Sequence, residues 1–107
     1  MKRLRVRWSR SASLDLIEII EYIQLDRPVA AREIGRAIRA AALHLKDNPR
    51  RGKVVPELLE RGVTDYRQIV IAPYRLIYAV RPDSLDIEAV IDGRRDIQTW
   101  LFERLIR

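Results

Sequence analysis

Near the start of the chain Leu4, Val6 and Trp8 alternate with Arg3, Arg5 and Arg7, and a period of two predicts a half-buried strand. The arginine side of that strand needs water or carboxylates, because an unpaired buried charge costs several kcal/mol. The period then changes. Leu16, Ile19, Ile20 and Ile23 recur at i, i+3, i+4 and i+7, the spacing of an amphipathic helix reaching to about Leu25. Ser9 is placed to cap its first free N–H groups, Asp26-Arg27-Pro28 ends it, and Asp15, Glu18 and Glu21 lie off the apolar stripe. A second helix is predicted over 28–47, with Ala31, Ile34, Ile38, Ala41 and Leu45 as its stripe and Pro28 in its first turn. The short connection makes the two an antiparallel hairpin.

Residues 48–65 form a long link punctuated by Asn48, Pro49, Gly52, Pro56 and Gly62, with a short helical turn at 57–60. Three antiparallel strands follow at 66–71, 74–80 and 85–91, separated by Ala72-Pro73 and by the turn Arg81-Pro82-Asp83-Ser84. In the last strand Leu85, Ile87, Ala89 and Ile91 read as one core face, with Asp86 and Glu88 outward. Asp92-Gly93 closes it, and 97–106 reads as a terminal helix with Asp96 as its N-cap. The order β-α-α-β-β-β-α indicates an α+β fold. The helical hairpin is expected to pack on an antiparallel sheet of about four strands, with the first strand at an edge. A length of 107 residues favours one domain over 1–107.

Charge sharpens the picture. The net charge is +6, and residues 1–10 alone carry +5 from Lys2, Arg3, Arg5, Arg7 and Arg10, while Arg50, Arg51 and Lys53 add +3. Such a balance favours an anionic partner, nucleic acid or an acidic protein segment. There is no cysteine, which excludes disulfides, thiolate metal sites and cysteine nucleophiles, and the lone histidine, His44, excludes a His-pair metal motif. No metal or other cofactor is expected. No apolar run approaches the length of a membrane span, and no apolar stretch follows the charged N-terminus as in a secretory signal. The expectation is a cytoplasmic protein without a membrane partner.

Several motifs together resemble the RelE/ParE superfamily of toxins from type II toxin–antitoxin systems. They are Trp8-Ser9 with Ala12 and Asp15-Leu16, Asn48-Pro49-Arg50-Arg51-Gly52, the stretch from Tyr66-Arg67-Gln68 through Ala72-Pro73-Tyr74-Arg75 to Tyr78, and Ile91-Asp92-Gly93-Arg94-Arg95-Asp96. The resemblance implies one of two activities. RelE-like members cleave messenger RNA on the ribosome, and ParE-like members inhibit DNA gyrase by binding. Metal-independent RNA cleavage needs a group to deprotonate the 2′-hydroxyl and cations at the phosphate. Arg67, Arg75 and Arg95 match basic positions of the RelE-like pattern, but a guanidinium stays charged and cannot act as base. Where that pattern has a further lysine and a tail tyrosine, this chain has Ile69 and Trp100-Leu101-Phe102. The resemblance is therefore closer to ParE, an inhibitory binding protein. The alternatives are a metal-independent endoribonuclease acting on messenger RNA at the ribosome, and a non-toxic basic binding module.

For target binding the candidates are Arg50, Arg51, Lys53, Arg75, Arg94 and Arg95. Arg75 has a competing structural role, pairing with Asp86 or Glu88 across the sheet. His44, late in a helix, reads as a surface or packing residue. The tail helix carries two apolar rows, Ile97, Leu101 and Leu105 in one and Phe102 and Ile106 in the other, with Trp100 beside the first. That is broader than a small surface helix needs. The resemblance implies a cognate antitoxin in a hetero-oligomer, its flexible segment folding over such a surface; Trp100, Phe102 and Ile106 are the candidates to meet it.

Overall fold

The computed structural model describes residues 4–106, and side chains through residue 105. In chain order the elements are β1 (Arg5–Trp8), α1 (Arg10–Gln24), α2 (Pro28–His44), β2 (Lys53–Val54), α3 (Pro56–Leu59), β3 (Tyr66–Ile71), β4 (Tyr74–Val80), β5 (Ser84–Asp92) and α4 (Ile97–Leu101). After α4 the chain continues as a π-helical turn over Phe102–Ile106. The α+β class and the element order follow the sequence reading, with α2 ending at His44 rather than residue 47. Ser9 caps α1 through a bond from the Ala12 N–H to its Oγ at 3.0 Å.

The sheet differs from the expectation. It is mixed and five-stranded, ordered β1-β5-β4-β3-β2. β1 does lie at an edge, but it runs parallel to β5, pairing Arg5 with Ser84 through Trp8 with Ile87. A parallel neighbour requires a crossover rather than a hairpin, and the helices and strands between β1 and β5 supply it. The short β2 adds a second edge beside β3.

Helices cover both faces. The α1–α2 hairpin lies on one, where Ala12, Leu16, Ile38, Ala42 and Leu45 pack with Leu76, Tyr78, Leu85, Ile87 and Val90. On the other, α3 and α4 bring Val55, Leu58, Ile97 and Leu101 against Ile77, Ala89 and Ile91. Burial on both faces is why β4 reads as the unbroken apolar run Leu76-Ile77-Tyr78-Ala79-Val80.

This sandwich corrects the reading of β5 as having a single core face. Ile77 pairs with Ala89 but Tyr78 pairs with Ile87, leaving Glu88 as the extra residue of a β-bulge. One inserted residue inverts the alternation. Leu85 and Ile87 therefore face the hairpin, whereas Ala89 and Ile91 face α4. Beyond the end of β1, backbone groups of β5 find side chains. Val90 N–H donates to Asp15 Oδ2 at 3.0 Å, and the Glu88 carbonyl accepts from Arg104 Nη2 at 3.4 Å. On β1 the arginine face behaves as its charge demands. Arg5 and Arg7 are exposed, and Asp86 lies 4.0 Å from Arg7 and 3.7 Å from Arg81. Arg3 lies outside the described residues. No helix among the described residues is long and apolar enough to cross a membrane.

Candidate functional site

At the end of the sheet where β3 turns into β4, an open groove of about 1130 Å³ runs between the tip of the helical hairpin and the end of β5. Its walls are Tyr22 and Ile23 of α1, Ala30 and Ile34 of α2, the Ala72-Pro73-Tyr74 turn, and Trp100 of α4. The Ala72–Pro73 peptide is cis. Glu18, Asp26 and Arg27 stand along the hairpin side, and Asp92, Arg94 and Arg95 along the other. Tyr22 is 78% exposed and Leu25 87% exposed, so the hairpin tip offers apolar surface to solvent.

Arg94 folds back on Asp92, donating from Nε at 2.9 Å and Nη2 at 2.6 Å, while its backbone N–H reaches the same carboxylate at 3.0 Å. Those bonds hold the Asp92 carboxyl down to about 2. Burial pushes the Tyr74 hydroxyl above its ordinary value, so it stays protonated at neutral pH. A carboxylate that acidic is a weak base, and a hydroxyl so raised is a weak acid. Arg95 is exposed beside Arg94. Asp96 occupies the N-cap of α4, but its side chain makes no capping hydrogen bond, contrary to the sequence expectation.

Trp100 is half-buried in the groove wall, with the Arg104 guanidinium 4.6 Å from the centre of its ring. Arg104 in turn holds Asp15 at 3.1 and 2.9 Å, tying the C-terminal helix to α1 across the open edge of β5. Phe102, also half-buried, sits under Arg61 at 4.7 Å and does not line the groove with Trp100. The Ile106 side chain lies outside the described residues.

The other sequence candidates gather elsewhere. Arg75 is held by Glu57 in two bonds of 2.7 Å and by Gln68 Oε1, to which its Nε donates at 2.8 Å and its Nη2 more closely. The Arg75 side chain is only 11% exposed. The expected partners Asp86 and Glu88 are replaced by Glu57, because α3 lays its first turn over this face of the sheet. Paired so closely, Glu57 is lowered below the usual carboxylate range, chiefly by the Arg75 hydrogen bonds. Arg67 donates to the Gly52 carbonyl at 2.7 Å. Tyr78 Oη accepts from the Gly52 N–H at 2.9 Å and donates to the Pro49 carbonyl at 2.7 Å. Arg50, Arg51 and Lys53 are exposed on the loop held in this way. His44 is exposed in the last turn of α2.

The structure thus brings Arg94, Arg95 and Trp100 together and separates them from the 50–53 loop, with Arg75 held between the sheet and α3. Sequence reasoning missed Glu57, Gln68 and Asp15 as the groups that fix arginines, and Tyr22 and Tyr74 as groove walls. Asp15, Gln68 and Tyr74 left a signal, since each lies in a motif that carries the resemblance, whereas Glu57 and Tyr22 left none. Among the described residues no cluster of histidines and carboxylates is arranged to hold a metal ion.

Residues 6–97 match the family described as the ParE toxin of the type II toxin–antitoxin system parDE. In fold, the chain is similar to a structure titled as the chromosomal ParDE toxin–antitoxin system from P. aeruginosa. That similarity has a TM-score of 0.70 and 18% identity, over 84% of this chain and 96% of that one. A weaker likeness, with a TM-score of 0.46 and 24% identity, links it to the YoeB dimer from Staphylococcus aureus over 81% of this chain and 93% of that one. No curated protein matches it in sequence.

Proposed function

This chain belongs to the ParE toxin family of type II toxin–antitoxin systems, and from that premise we propose that it inhibits DNA gyrase by binding and is neutralised by a cognate antitoxin. The observation that carries the reading is the division of labour among the arginines. Arg67 and Arg75, which the ribonuclease alternative requires, are bonded inside the fold. Arg95 and, though paired with Asp92, the exposed Arg94 instead stand at the rim of an open groove with aromatic walls. A large groove mixing apolar walls with rim charges suits a protein segment, with the aromatic residues as anchors and the arginines steering approach.

In this reading Arg94, Arg95 and Trp100 carry target recognition. Arg75 acts as a positioning residue through α3. The antitoxin is a partner with an acidic, apolar segment that folds over the C-terminal helix near Trp100 and Phe102 and forms a hetero-oligomer with the toxin.

The test is a gyrase supercoiling assay with the purified chain, alongside growth after induction with and without the antitoxin. Wild type is expected to inhibit supercoiling at stoichiometric excess and to arrest growth only when the antitoxin is absent. Arg95→Ala and Trp100→Ala should each weaken inhibition about tenfold, the scale of one lost anchor. Intact supercoiling at excess toxin, or codon-phased cuts in messenger RNA on induction, would overturn the reading.

A further inference from the structure

The loop over residues 48–53 combines a flexible composition with a rigid seat. Asn48, Pro49 and Gly52 suit a mobile link, yet the backbone is pinned by the two Tyr78 bonds and the Arg67 bond at Gly52. The fit at Gly52 is close. A Cβ there would stand 2.5 Å from the Gln68 carbonyl oxygen and 2.6 Å from Tyr78 Oη, so the loop lies flush on the sheet. Both the donor and the acceptor of that hydroxyl are used in the seat.

On this base Arg50, Arg51 and Lys53 project as exposed cations. Four arginines elsewhere are paired with carboxylates, Arg75 with Glu57, Arg104 with Asp15, Arg81 with Asp86 and Arg94 with Asp92, whereas Arg32, Arg36 and Arg39 stand exposed along α2 with no ion pair among the described residues. Among the described residues no carboxylate forms an ion pair with Arg50, Arg51 or Lys53. The Glu57 carboxylate feels Lys53, but both its oxygens are taken by Arg75. Arg51 and Arg67 both bear on the Tyr78 hydroxyl, so the positive charge gathers around one point of β4. Clustered like charges repel one another. A preordered loop that leaves them unneutralised is suited to an external polyanion, and it binds without first having to order itself.

We infer that Arg50, Arg51 and Lys53, seated on Tyr78 and Arg67, form a binding site for the phosphate backbone of duplex DNA. The chemistry selects the duplex over a single strand. Recognition of unpaired nucleotides relies on exposed aromatic rings for stacking. Tyr78 is fully buried, and the one large aromatic of high exposure among the described residues, Tyr22, lies at the groove. Cations without a stacking platform grip phosphates irrespective of sequence. Tyr74, which lines the groove, precedes Tyr78 by four residues on β4, about 13 Å of strand. DNA on the loop and a protein on the groove therefore engage separate surfaces.

The experiment is fluorescence anisotropy of a labelled duplex of about 20 base pairs, titrated with the purified chain between about 50 and 200 mM NaCl. The wild type should bind with a slope of log affinity against log salt near −3, reflecting about three phosphate contacts. The triple variant R50A/R51A/K53A should lose about tenfold or more in affinity at 100 mM, with a slope shallower than about −1. The control R32A/R36A/R39A removes the same charge from exposed positions on α2 and should keep a slope within about one of the wild type. Equal weakening by the two triple variants would overturn the inference, as would tighter binding of single-stranded RNA of the same length. Run beside it, the supercoiling assay separates the two claims. Inhibition without duplex binding removes the DNA site and leaves the gyrase reading standing, and duplex binding without inhibition does the reverse.

Discussion

Asp92 and Arg94 show how two neighbours in sequence set a local charge. With its carboxyl held at about 2 by the Arg94 bonds, Asp92 stays ionised through the acidic range in which free carboxylates protonate. A carboxyl NMR titration should place its midpoint near 2 in the wild type and back towards 3.8 in Arg94→Ala. Because the folded value is depressed, any stabilisation from this pair is present above the ordinary carboxyl value and lost as pH falls through about 2. Arg94 is exposed, so salt should weaken the effect. Tyr78 is the opposite case, a buried group with both hydrogen-bonding roles filled. Tyr78→Phe leaves the Gly52 N–H and the Pro49 carbonyl without that partner, at a cost of about 1–3 kcal/mol. Urea denaturation measures the loss, which should be accompanied by faster amide exchange over residues 49–53.

At the scale of elements, the short helices depend on side chains from outside them. α3 has four residues, too few to persist alone. Leu58 in the core and Glu57 on Arg75 hold it. Glu57→Ala leaves a largely buried arginine without its carboxylate and is expected to destabilise the protein by about 2–3 kcal/mol, read as a lowered denaturation midpoint. Glu57 is depressed in the folded state, so its contribution fades as pH drops below the ordinary carboxyl range. Glu88, on the bulge, runs the other way. Burial raises it, which favours the folded state at low pH and disfavours it as the carboxyl ionises. Glu88→Gln should therefore raise the melting temperature at pH 7 and leave it nearly unchanged at pH 4. The C-terminal helix hangs on Ile97, Leu101 and the Arg104–Asp15 pair. Arg104→Ala should speed amide exchange across residues 97–105 and at Val90, and shift Trp100 fluorescence to longer wavelength.

For the whole molecule, the sheet sets both of the surfaces proposed for binding. Its β3–β4 end, with the hairpin tip, makes the groove; further along, Tyr78 and the start of β3 seat the basic loop. The two share no side-chain partner, so Arg95→Ala and the 50–53 triple variant should act additively on binding, within about 0.5 kcal/mol. A double-mutant cycle on a gyrase–DNA complex measures this directly.

The helices, the strands after residue 65 and the edge position of β1 were legible in the sequence, because periods of 3.6 and 2 are local and burial enforces them. So was the chemical character of the chain: no cysteine, one histidine, and arginines in clusters. What the tertiary structure decided was pairing across distance. One extra residue at Glu88 inverted the face of β5 beyond it, β1 paired in parallel through a crossover, and Arg75 found Glu57 rather than the acids of the neighbouring strand. Composition can count cations, but which of them remain unneutralised depends on which carboxylates the fold carries to them, and neither hydrophobic periodicity nor local charge encodes that.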